Sequence, residues 1–151
     1  MFDCHGRVLV AHRIGMPPGP GTWQMPQGGI DTGEMPEAAV MRELREEIGT
    51  NHVVIIGEHP EELIYDFPAD IAATVLGGRY RGQRQRWFAL RFEGYDRDIR
   101  LDQEPKPEFD AWRWATLDEA VDLVVAFKQP IYMKIATSFA QFATPVPKPI
   151  R

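Results

Sequence analysis

Cysteine occurs once in the 151 residues, at Cys4, and serine once, at Ser138. A lone cysteine forms no intramolecular disulfide, which suits a reducing compartment and points to the cytoplasm. Ser138 has no Gly-x-Ser-x-Gly elbow around it and Cys4 stands at an end prone to fray, so a Ser or Cys nucleophile is poorly supported. Histidine is scarce as well: His5, His12, His52 and His59 give no i, i+4 helical pair and have no cysteine partners, which argues against a His/Cys zinc site. Long apolar runs are missing. Val53 to Ile56 and Leu123 to Phe127 fall far short of the roughly 20 residues that a spanning helix needs, so no membrane partner is expected. The first residues, with Asp3, His5, Gly6 and Arg7 among them, lack the basic head and apolar core of a secretory signal.

Carboxylate is what remains abundant. Acidic side chains number 22 against 17 basic ones, a formal net charge of -5, and oxygen ligands suit Mg²⁺, Mn²⁺ or Ca²⁺. The length fits a single domain, taken as residues 1–143, followed by a proline-rich tail over 144–151 that is expected to be loose. Strands are expected over Arg7–Ala11, Val53–Ile56, Glu62–Phe67, Arg84–Phe92 and Phe109–Trp114, with a short extended piece over Trp23–Gly29. Both faces of Arg84–Phe92 are partly apolar, which suggests a central strand. Pro36 and Gly49 bracket a helix of 13 residues whose usual cap is replaced by Met35, and further helices are expected over Leu117–Val124 and Gln129–Phe142. Strands interleaved with helices argue for an α+β or α/β sandwich.

The informative stretch is Gly28 to Thr50, GGIDTGEMPEAAVMRELREEIGT. At about 100° per residue, Glu43, Glu46 and Glu47 fall on one helix face, taken here as exposed, with Ala39 too small to screen them. Val40, Met41, Leu44 and Ile48 supply the apolar stripe that docks the helix. Alone, such a pattern reads as a solvated glutamate face, since like charges four residues apart cost only a few tenths of a kcal/mol. The glycine-rich turn upstream changes the reading: it leaves backbone groups free to approach a ligand, and Arg42 can reach back to Glu34 as a brace. The three clustered glutamates have no other evident charge partner, so a divalent ion is expected there.

The pattern Gly28-x5-Glu34-x7-Arg42-Glu43-Leu44-x-Glu46-Glu47-x-Gly49 resembles the Nudix box, the signature of hydrolases acting on nucleoside diphosphates linked to another moiety. Thr50 stands where an aliphatic residue is usual, a departure that touches packing. Outside the box, Trp23–Gly29, Gln83–Phe88, Pro107–Trp114 and Val125–Lys128 are similar to the bacterial RNA pyrophosphohydrolase branch, also described as dinucleoside polyphosphate hydrolase. The resemblance implies a mixed sheet flanked by helices, an α/β/α sandwich, with the box forming loop-helix-loop at the site.

By motif position it implies that Glu43, Glu46, Glu47, the Gly28 carbonyl and Glu108 hold Mg²⁺ or Mn²⁺, that Glu43 takes the proton from the attacking water, and that Glu34, Arg42 and Gly49 are structural. Arg13 and Phe127 match positions that sandwich a base, with Lys128 nearby, and Gln85 and Arg86 are phosphate contacts. Val125-Ala126-Phe127-Lys128 lacks the serine more frequent in the family's version. The cluster Arg79, Arg81, Arg84 and Arg86 supplies local positive charge to an acidic chain. Family chains begin further upstream with a strand that enters the sheet, so part of the first strand is expected to be absent. The implied substrate is 5′-triphosphorylated RNA or a dinucleoside polyphosphate, with no DNA partner. A housecleaning hydrolase for free nucleotides and a non-catalytic binding module are the alternatives, and oligomeric state is not readable from the residues.

Overall fold

The computed structural model describes residues 1–148 and Ile150. Strand β1 (Val8–Arg13) is the spine of the molecule. Its alternation sends Val8 and Val10 into one core cluster and Leu9 and Ala11 into the other, the pattern of a strand covered on both faces. On one edge it pairs antiparallel with β2 (Trp23–Gln24), on the other with β7 (Phe109–Ala115). Helix α1 (Pro36–Ile48) closes one layer, burying Leu44 and Ile48 against Leu9, Leu90 and Phe109. Helices α3 (Leu117–Leu123) and α4 (Gln129–Ser138) close the other, through Ala120, Ile131, Tyr132 and Ile135. This helix–sheet–helix layering is the expected sandwich.

Two further antiparallel ladders complete the strands: β3 (Val53–Glu58) with β6 (Phe88–Phe92), and β4 (Leu63–Asp66) with β5 (Gly82–Gln85). Phe2 joins β1 to β6, bridging antiparallel to Val8 and parallel to Arg91, and it makes the only parallel pairing among the described residues. Burial of the neighbouring Met1 amine, reinforced by Arg91, drops its pKa to about 5. A short helix α2 (Ala69–Ala72) precedes β5.

Two expectations are corrected. Arg84–Phe92 is two strands, β5 and β6, broken at Arg86–Trp87, because the chain leaves the β4 ladder there and enters the β3 ladder. The β6 half does lie between neighbours, hydrogen-bonded through Leu90 and Phe92 to Phe2 and paired to β3. The last helix ends at Ser138; a separate 3-10 turn covers Ala140–Phe142, where Phe139 packs edge-on to Phe142. At the tail, Val146 N–H donates to the Cys4 carbonyl, while positions 149 and 151 of the expected loose segment lie outside the described residues. Among the described residues no helix is long and apolar enough to cross a membrane.

Candidate active site

Helix α1 begins with Pro36 pre-set in φ and Met35 offering no side-chain cap, and it stops at Gly49, whose φ of 77° returns its N–H to the Arg45 carbonyl. A Cβ at Gly49 would strike the Arg100 backbone, so this stop requires glycine on two counts. Thr50 is buried and its hydroxyl accepts from the His52 N–H, a packing role that matches the expectation.

Arg42 organises the loop before the helix. Its Nε and Nη2 donate to the two Glu34 oxygens at 2.8 and 2.9 Å, and Nη2 also donates to the Gly29 carbonyl at 2.8 Å. The guanidinium holds the Glu34 carboxyl down at about 2. Arg42 does more than the expected brace. Its Nη1 donates to Glu43 at 2.9 Å and to Glu46 at 3.2 Å, so these two glutamates do have a charge partner, which corrects the reading that only an ion could serve them. The brace and the glutamate contacts use different nitrogens, so Nη1 can be displaced with the Glu34 pair intact.

Glu47 corrects the picture of an exposed glutamate face. It is only 8% exposed, on the same side of α1 as buried Ala39, and its Oε2 has no hydrogen-bond partner. Burial first, then the nearby Glu108 carboxyl, push the Glu47 pKa up to about 9; the Gln27 N–H opposes the shift. Glu108 is brought there by β7: its carbonyl accepts from Ile14 N–H just past β1, beside the register shift at His12/Arg13. Burial also raises the Glu43 pKa against the pull of Arg42.

Among the described residues no three His, Cys, Asp or Glu side chains converge on one point, because Arg42 holds two glutamates while Glu47 leans on Glu108. The residues nonetheless fit a hard divalent cation on two observations. Glu47 Oε2 is a buried acceptor with nothing to accept from, and Gly28 presents bare backbone to Glu43, since a Cβ there would overlap the Glu43 carboxyl. A cavity of about 510 Å³ opens beside Gln27, Gly28, Glu43, Glu47, Gln85 and Arg86 and runs inward to Phe2 and Ile135.

The remaining candidates divide. Phe127 is half-buried and packs on Tyr65 (centroids 5.6 Å apart) and edge-on to Phe67 (6.3 Å). Lys128 is buried, its Nζ donates to Gln27 Oε1 at 3.1 Å, and burial, with Arg13 adding, lowers its pKa to about 8. Arg13 is exposed and close enough to act on both Lys128 and Tyr65, so these residues form one group. Gln85 joins it through Gln27. Arg86 is engaged elsewhere, ion-paired with Glu58 and lying over the Phe88 ring. The arginine cluster is largely spoken for as well: Arg81 pairs with Asp66 and Arg84 with Glu62. Sequence reasoning assigned no role to Gln27, Tyr65 or Gln83. Tyr65 and Gln83 are register partners in the β4–β5 ladder and share a 2.5 Å hydrogen bond, a pairing that no local motif announces.

A helix–sheet–helix sandwich whose glycine-rich loop, braced arginine and glutamate helix sit at one end of the central strand defines a Nudix fold and box, and a family model described as the NUDIX domain matches residues 1–135. The chain belongs to the NUDIX family. It is similar to proteins named RNA pyrophosphohydrolase from Gluconacetobacter diazotrophicus, 53% identical over 96% of this chain and 90% of that one, and from Acidiphilium cryptum, 56% identical over 95% and 87%. Among solved structures, an E. coli dihydroneopterin triphosphate pyrophosphohydrolase (TM-score 0.60, 20% identity, 88% of this chain and 87% of that chain) and a C. elegans Ap4A hydrolase binary complex (TM-score 0.58, 20% identity, 89% and 88%) share the fold. NUDIX hydrolases generally use divalent cations.

Proposed function

We infer that this chain is a phosphoanhydride hydrolase that removes pyrophosphate from 5′-triphosphorylated RNA, with dinucleoside polyphosphates as a related substrate. The observation that carries the reading is identity above 50% to the two RNA pyrophosphohydrolases, over nearly the whole chain, together with an intact Glu43/Glu46/Glu47 helix whose Glu47 keeps a buried, unpartnered Oε2. The Gly28 carbonyl, Glu43, Glu46, Glu47 and Glu108 would hold Mg²⁺ or Mn²⁺. When bound, the ion offsets phosphate charge and lowers the pKa of coordinated water. Substrate RNA and the single Cys4 support a cytoplasmic place of action.

The protein's own residues supply the rest. Glu43, with its pKa raised by burial, would accept the proton of the attacking water as the new P–O bond forms and the bridging P–O bond breaks. The products are 5′-monophosphorylated RNA and pyrophosphate. Arg42 holds the Gly28–Gly33 loop in place through Glu34 and Gly29. Phe127 and Arg13 take the base, which is where RNA is told from a bare polyphosphate. Lys128 Nζ hydrogen-bonds only a neutral amide among the described residues, which leaves its charge available to an anionic substrate. The test is a product assay with Mg²⁺ on triphosphorylated RNA, diadenosine tetraphosphate and free nucleoside triphosphates. RNA should give the highest kcat/KM; a higher value on free nucleotides would replace the reading with a housecleaning role.

A further inference from the structure

Three glutamine amides lie between the aromatic group at Phe127 and the glutamate helix. Gln27 Oε1 accepts from Lys128 Nζ at 3.1 Å and from Gln85 Nε2 at 3.4 Å, while Gln27 Nε2 donates to Gln83 Oε1 at 3.4 Å. Gln83 Oε1 also accepts from the Tyr65 hydroxyl at 2.5 Å and from Gln85 Nε2 at 3.2 Å, and Gln85 Oε1 accepts from Trp87 Nε1 at 3.0 Å. Lys128, Gln83 and Gln85 are thus tied directly to Gln27, and Tyr65, on which Phe127 packs, is tied to it through Gln83. The same residue's main chain faces the other way: its N–H acts on the Glu47 carboxyl, and the next residue is Gly28, which lies against Glu43.

We propose that Gln27 is a positioning residue that couples the Phe127–Lys128 base clamp to the Gly28 loop and Glu47, so that an occupied clamp sets the geometry of the carboxylate site. The inference rests on the base-clamp reading above and adds to it a mechanical link. The physical basis is that Lys128 is buried and its one side-chain hydrogen bond among the described residues is to Gln27. A base stacking on Phe127 beside Lys128 therefore acts on the Gln27 side chain along two routes, through the Lys128 hydrogen bond and through Tyr65 and Gln83. Three side-chain bonds from the amide carbon, the Gln27 backbone carries that constraint into the loop. The outcome is selection at the catalytic step, with base-bearing substrates better aligned than base-free ones, in addition to tighter binding.

The direct test uses amide NMR on the metal-free protein in chelator, with the dinucleotide ApG as probe because it carries bases and no terminal phosphate. In the parent, ApG should shift the Phe127 and Lys128 amides and also those of Gly28 and Glu47. In Gln27→Met, which keeps the side-chain length and loses the acceptor, Phe127 and Lys128 should still shift while the Gly28 and Glu47 responses fall at least threefold. Gly28 responses that persist in Gln27→Met, or that are absent in the parent while Phe127 responds, overturn the coupling. No response at Phe127 in the parent overturns the base clamp itself, and the coupling with it. Kinetics give a second readout: on triphosphorylated RNA, Gln27→Met should lower kcat about tenfold with KM changed less than threefold, and Gln27→Glu, which restores an acceptor for Lys128, should recover most of it. A loss confined to KM, or no rescue by Gln27→Glu, would reduce Gln27 to a wall of the clamp. Melting curves check that both variants fold.

Discussion

Replacing Glu47 by glutamine should stabilise the metal-free protein while removing its turnover. The folded-state pKa of about 9 lies above the ordinary carboxyl value of 4.5. A raised pKa means that the protonated form is the one the fold favours, so this group's contribution is fully present below about pH 4.5 and is lost as pH rises toward 9. At pH 7.5 the loss spans three pH units at about 1.4 kcal/mol each, a ceiling of about 4 kcal/mol. Local relaxation and entry of water around Oε2 reduce that to about 1–3 kcal/mol. Glutamine carries no charge at any of these pH values, and its amide can still donate toward Glu108 as the protonated acid does. Thermal melts in chelator should therefore show Glu47→Gln above the parent by about 2–12 °C at pH 7.5, at about 2–4 °C per kcal/mol for a domain this size, with the gap closing at pH 4.5. Added Mg²⁺ should shrink or reverse the gap, because an ion binding only the folded parent stabilises it. A variant no more stable than the parent across pH 5–8 in chelator would refute the burial argument for Glu47.

Arg42→Ala should lower both the melting temperature and the rate, since it frees Glu34, the Gly29 carbonyl and two helix glutamates at once; lost activity with an unchanged melt would contradict the brace. Phe127→Ala should cut kcat/KM on triphosphorylated RNA by about five- to hundredfold, the range of about 1–3 kcal/mol per stacked base, and affect tripolyphosphate far less; equal losses would make Phe127 a packing residue. His12, whose Nδ1 lies 2.6 Å from Asp110 Oδ1, has a raised pKa caused first by that hydrogen bond. Its stabilising effect is present below about pH 6.5 and lost as pH rises through the raised value, so Asp110→Asn should destabilise more at pH 6 than at pH 9 by urea titration; a pH-independent difference would contradict the pair.

The helix that carries the site was legible because Pro36 and Gly49 mark its ends by backbone chemistry alone, and the box spacing announced which residues face the loop. The burial of Glu47 was not legible. Periodicity puts Glu47 on the glutamate face, and only the approach of β7, which brings Glu108 alongside, reveals that this part of the face is covered. Arg42 was foreseen as a brace but not as the partner of Glu43 and Glu46, because five donors on one guanidinium serve more acceptors than a spacing argument counts. The break at Arg86–Trp87 was hidden for a related reason: alternation continues through it while the hydrogen-bonding partner changes from β4 to β3. The glutamine network follows from strand register, which residues read singly do not encode.

The measurement that bears most directly on the central claim is the stoichiometry of products from 5′-triphosphorylated RNA in Mg²⁺, comparing the parent with Glu47→Gln. The parent should release one pyrophosphate for each 5′-monophosphorylated RNA formed, stop on addition of chelator, and exceed Glu47→Gln by several hundredfold or more, as loss of a charged group acting in the transition state requires. Triphosphate ends left intact by the parent, or turnover unchanged in Glu47→Gln, would contradict the assignment of the α1 carboxylates as the site of phosphoanhydride hydrolysis.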